Sequence, residues 1–190
     1  MAKPGHRDFK GIKKYLTLRN LLILGLAVVI YLMFSNLAKA IFFIILSAPL
    51  CTLSIKVTRV IPNANVQIIT PMTLFLSYLF GWPIGVFYGF ILGLYFWSTA
   101  YSISQFVLLE VFLNAVVAFA ADYMKVSLLI PFTYTYFICM AIQKILYFTL
   151  GLAIGGNPVE NTIHTVSSAI THFIIVPPFV FLLYNITIML

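Results

Sequence analysis

After residue 17 the chain is a succession of apolar runs, each near the length of about 20 residues that carries a helix across a bilayer, with short polar breaks between them. Such a sequence has few ways to fold. In lipid every backbone N–H and C=O needs an internal partner, which leaves helices or a closed barrel, and these runs are continuously apolar where barrel strands would alternate. With 63% of its residues hydrophobic and 8% charged, the chain reads as all-α, a polytopic integral membrane helical bundle. Its seven hydrophobic segments resolve into a six-helix core plus an additional N-terminal hydrophobic helix. Residues 1–20 form a basic, cytoplasmic-type segment in which Lys3, Arg7, Lys10, Lys13, Lys14 and Arg19 supply much of the formal net charge of +7, and residues 21–190 form a single transmembrane domain. A basic cluster ahead of an apolar run is held against anionic headgroups, which accounts for the charge without a nucleic-acid partner and predicts a multi-pass protein of the cell membrane.

The organising stretch is Gly81-Trp-Pro-Ile-Gly85-Val-Phe-Tyr-Gly89-Phe-Ile-Leu-Gly93, in which four glycines recur at every fourth residue. At helical periodicity Gly81, Gly85, Gly89 and Gly93 share one stripe, along which a neighbouring helix approaches bare backbone. Pro83 suits a first helical turn, so a central helix starts near Trp82 after a very short turn at Gly81. Residues 72–80, behind Pro71, supply the other arm of a helical hairpin.

Upstream, residues 21–34 followed by Ala38-Lys39-Ala40 resemble a signal peptide, but the apolar run resumes at Ala40. That predicts retention, with two helices joined at Ser35-Asn36 or one long kinked helix, and Pro49 predicts a bend or break in the second segment. Residues 56–67 and 155–161 are the two larger polar connections. The final helix, near residues 162–184, places His164, Ser168 and His172 on one stripe and bends at Pro177-Pro178. Cys51 and Cys139 read as small buried hydrophobes, and Trp82 and Trp97 as interface anchors.

Ionisable groups inside a bilayer are costly and mark candidate sites. Glu110 and Lys144 are the two least able to reach water. They either pair in the bundle interior, as a structural ion pair among other roles, or face a polar substrate. Asn114 lies one turn from Glu110, with Ala118 and Asp122 continuing that face, and Gln143 sits beside Lys144. Glu160, His164 and His172 are metal-ligand types at helical spacing, a weak signal that gives way to hydrogen bonding between helices, so no metal or cofactor is expected. No P-loop, H-E-x-x-H or G-x-S-x-G pattern occurs, and the chain is expected not to be an enzyme; an intramembrane transferase using Glu110, Asp122 or His164 is the competing possibility.

The run from Ile61-Pro-Asn-Ala-Asn-Val-Gln through Pro71 and Phe80-Gly81 to Gly89 resembles the substrate-binding S components of energy-coupling factor (ECF) transporters. In that family a proline-containing outer loop leads into a proline-led helix, a Phe-Gly turn and a glycine-stepped helix. The resemblance implies capture of a small, vitamin-like nutrient, with import energised by a separate transmembrane coupling subunit and ATPases. MreD, a membrane scaffold of rod-shape machinery, is similar in general architecture and implies a non-transporting interaction protein.

A ligand site near a membrane surface needs concave, mostly apolar walls and a few convergent polar groups. Counting hairpins, the connections holding Asn63, Asn65 and Gln67 and holding Asn157 and Asn161 emerge on one face. The helix bearing Glu110 begins there too. This predicts a pocket lined by Asn63, Asn65, Gln67, Glu110, Asn114, Gln143, Asn161 and His164, with Gln143 at its floor, about three turns below Ile154.

Overall fold

The structure, a computed structural model, describes residues 18–60, 67–99 and 103–189, and these form helices with no strand among them. The chain divides into two compact units, Met1–Lys39 and Ala40–Leu190. In the first, helix α1 (Leu18–Phe34) exposes its apolar side chains from Leu22 to Val29. Ser35 then interrupts the helix: its hydroxyl accepts from Ala38 N at 3.3 Å and its carbonyl from Lys39 N at 3.1 Å. Two helices joined at Ser35 are therefore the outcome at this junction. The basic residues Lys3 to Lys14 lie outside the described residues.

Helix α2 (Asn36–Val60) runs on through Pro49 without ending. The expected break is absent, and around the proline Ser47, Thr52 and Ser54 turn their hydroxyls onto the carbonyls of Ile44, Ala48 and Cys51. Lys56 consequently belongs to a helix and not to a polar loop.

Helices α3 (Ile69–Phe80) and α4 (Trp82–Ser98) are joined by Gly81 alone, whose φ of 96° is open to glycine at little cost. The arms fold back antiparallel. A Cβ on Gly85 would lie 2.5 Å from Ser77 Cβ, and one on Gly89 2.6 Å from Thr73 Oγ1. The hairpin is thus as the sequence predicts, with two corrections. Gly81 makes the turn and is not part of the packing stripe, and Gly93 meets its neighbours only at an ordinary 3.7 Å. A π-helical segment, Phe87–Leu92, interrupts the α-helix between Val86 and Gly93. The central element is α3, buried from Ile69 to Tyr78, whereas α4 keeps Phe87, Ile91 and Tyr95 exposed.

Helices α5 (Gln105–Val126) and α6 (Phe132–Ala153) follow, then α7 (Pro158–Ile170), which continues as a π-helical turn at Thr171–Ile175, and α8 (Pro177–Met189). Among the described residues three helices are long and apolar enough to cross a membrane, Asn36–Thr58, α5 and α6. The last two segments, bent by 43°, make a fourth if counted as one broken span. The predicted stripe on α5 packs on the hairpin: Thr70 Oγ1 donates to Asn114 Oδ1 at 2.7 Å, and Ser77 Oγ donates to Ala118 O. The π turn in the last helix has a local cause. Val176 N reaches back to Thr171 O, which leaves the His172 carbonyl free to accept from Tyr136 Oη at 2.9 Å.

Candidate functional site

One end of the second unit is built from helix termini. The last turns of α2 and α4, the C-terminal half of α6 and the first two turns of α5 and α7 surround a cavity of about 360 Å³. Ser104 starts α5 by accepting from Val107 N at 3.3 Å, and Asn157 starts α7 by accepting from Val159 N at 2.9 Å, with Pro158 at the first helical position. Glu160 and Asn161 are therefore in a helix, where the sequence expectation had them in a connection.

Glu110 reaches the cavity from α5. It is buried, and its Oε2 accepts from Gln67 Nε2 at 3.1 Å. Asn161, also buried, donates to Phe148 O at 2.9 Å and packs on Gly151, where a Cβ would lie 3.0 Å from its Nδ2. His164 stacks on Tyr147 with ring centroids 5.0 Å apart and an interplanar angle of 26°. Trp97 and Phe106 complete the aromatic walls, Thr58 closes one side, and Glu160 is exposed at the rim.

Beside the cavity, Lys144 Nζ bonds to Ser168 Oγ and not to Glu110, although the two charges interact. Of the two alternatives for this pair, the direct interior ion pair is not formed: Gln67 and Ser168 take the hydrogen-bond positions, so each charge has a neutral partner. His172 joins the same layer, its Nε2 lying 2.8 Å from Gln67 O. Buried charges need such hydrogen bonds to be tolerated.

The structure thus brings Glu110, Asn161 and His164 around one cavity, with Gln67 bonded to Glu110 just outside the lining. Asn114 is elsewhere, spent between Thr70 and Gly89 O, the latter at 3.5 Å. Gln143 is elsewhere too, in a separate apolar pocket of about 10 Å³ with Leu113, Val117 and Cys139, where neither amide atom has a hydrogen-bond partner. Asn63 and Asn65 lie outside the described residues. Trp97, read as an interface anchor, is buried in the cavity wall. Trp82 is exposed and stacks on Phe119 at 4.5 Å. Among the described residues no group of three or more His, Cys, Asp or Glu side chains is placed to hold a metal ion. The chain matches no protein-family model, no curated protein and no solved structure.

Proposed function

We propose that this chain is a multi-pass protein of the cell membrane, a six-helix core with an added N-terminal helix, that binds a small nutrient for uptake. This is the role implied by its resemblance to ECF S components, in which a coupling subunit and ATPases supply the energy. The observation that carries the reading is the cavity of about 360 Å³, within the range of about 300–1,000 Å³ typical of small-molecule sites, with aromatic walls and the convergent groups Glu110, Asn161 and His164. A scaffold of the MreD kind has no need of a cavity with a buried carboxylate in its wall, and burying one is costly unless it serves binding or is fully paired. Binding is favoured over catalysis because the lining offers charge and hydrogen-bond partners, while the one serine among its described residues, Ser104, is engaged as a helix cap.

The test is extraction and mass spectrometry of protein purified without added ligand. A small molecule that accompanies the parent and is lost from a Val107→Trp variant, in which the cavity is filled, supports the proposal. Recovery of cell-wall or cytoskeletal partners, with no small molecule in either protein, sinks it and favours the scaffold.

A further inference from the structure

The charges around the cavity are unbalanced in a way that selects among ligands. Two carboxylates line it, Glu110 buried in the wall and Glu160 exposed at the rim, and among the described lining residues there is no lysine or arginine. The nearest buried cation, Lys144, is outside the lining and engaged with Ser168. It offsets part of the Glu110 charge. Four rings contribute to the remaining walls: Trp97, Phe106 and Tyr147 line the cavity, with His164 stacked on Tyr147. Aromatic faces attract cations through their negative quadrupole, most strongly where water is thinned out, and they hold an apolar body equally well.

Resting on the binding role proposed above, we infer that the ligand is a small organic cation, an aromatic or alkyl amine. Its ammonium is taken by Glu110 and Glu160 and its body lies between the rings. Glu110 suits this because one carboxylate oxygen is already fixed by Gln67, which orients the group before the ligand arrives. An anionic ligand would meet both carboxylates with no lysine or arginine among the described lining residues to offset them.

The test uses the full chain in lipid nanodiscs and three probes with one phenol ring and one ethyl linker, differing only at the end group: tyramine (ammonium), tyrosol (hydroxyl) and phloretate (carboxylate). Calorimetric titration should give tyramine a Kd lower than that of tyrosol by about tenfold or more, the factor corresponding to about 1.4 kcal/mol, with no phloretate binding. Glu110→Gln should remove most of that preference. Glu160→Gln, at an exposed position that leaves the fold intact, should reduce it severalfold and covers the case in which the first variant fails to fold. Equal affinities for tyramine and tyrosol, or tighter binding of phloretate, overturn the cationic assignment and leave the binding role standing. Absence of binding by all three overturns the amine assignment, and the binding role is then decided by the co-purified molecule.

Discussion

The two ends of helix α5 face opposite kinds of surroundings. From Val111 to Ala121 the helix lies on the glycine face of the hairpin, where backbones approach so closely that a Cβ on Gly89 would sit 2.9 Å from Asn114 Cβ, and the polar groups Thr70, Asn114 and Ser77 are all spent on one another or on main chain. One turn earlier, Val107 and Glu110 border an open cavity. The contrast teaches that side-chain size decides the difference. Glycine, alanine and serine let helices close until no room remains, which in lipid is the chief source of association. At the helix termini the neighbours are Trp97, Phe106 and Tyr147, whose rings hold the backbones apart.

This comparison can be broken, and the largest effect falls at the seam. Gly89→Leu would place a branched side chain where even a Cβ meets Thr73 at 2.6 Å, so it should cost about 3 kcal/mol or more in detergent unfolding experiments. Parent-like melting would show that the seam is not closed. Next is Asn114→Leu, which strands the Thr70 hydroxyl and should cost about 1–2 kcal/mol by the same measurement. A smaller effect of opposite sign is expected for Gln143→Leu. Both amide atoms there lack partners in an apolar pocket, so the apolar replacement should raise stability by about 1 kcal/mol or less. The smallest effect sharpens the contrast between glycines: Gly25 has nothing within 4 Å of its Cβ position, and Gly25→Ala should raise stability by no more than about 1 kcal/mol through helix propensity alone.

The hairpin was legible in the sequence because its signals are local. Gly81 before Trp82-Pro83 encodes a turn and a helix start in consecutive residues, and the glycine period encodes the contact face. Its limit was equally local, since Gly93 faces Ile69 and Val111 on the same stripe but at 3.7–3.8 Å, a loosening of the contact that residue spacing does not show. The cavity was half legible. Glu110, Asn161 and His164 stood out as polar groups in or beside apolar runs, but periodicity reports the face of a helix and says little about where along that face the packing opens. Glu110 and Asn114 share a face, yet the seam closes between them. Gln143 and Lys144 adjoin in sequence but point to different compartments of the bundle. Trp97 and Tyr147 were misread or missed for another reason. An aromatic near a helix end has the same sequence signature whether it meets headgroups or a cavity. Asn157-Pro158 was the overlooked signal, because a cap followed by a proline marks a helix start and would have put Glu160 and Asn161 on the first turn of α7.

The central claim, that α5 passes from a sealed seam to an open cavity within a single turn, is tested most directly by thiol accessibility. Val107→Cys lines the cavity and Val111→Cys lies in the seam, and both replace a buried valine with a side chain of similar size. The native thiols, Cys51 and Cys139, are buried and give the background rate. With a charged, membrane-impermeant maleimide applied to intact protein in nanodiscs, the thiol at position 107 should react at least about tenfold faster than that at 111, the factor corresponding to about 1.4 kcal/mol of opening free energy. Equal rates at the two positions, whether both fast or both at background, would contradict it.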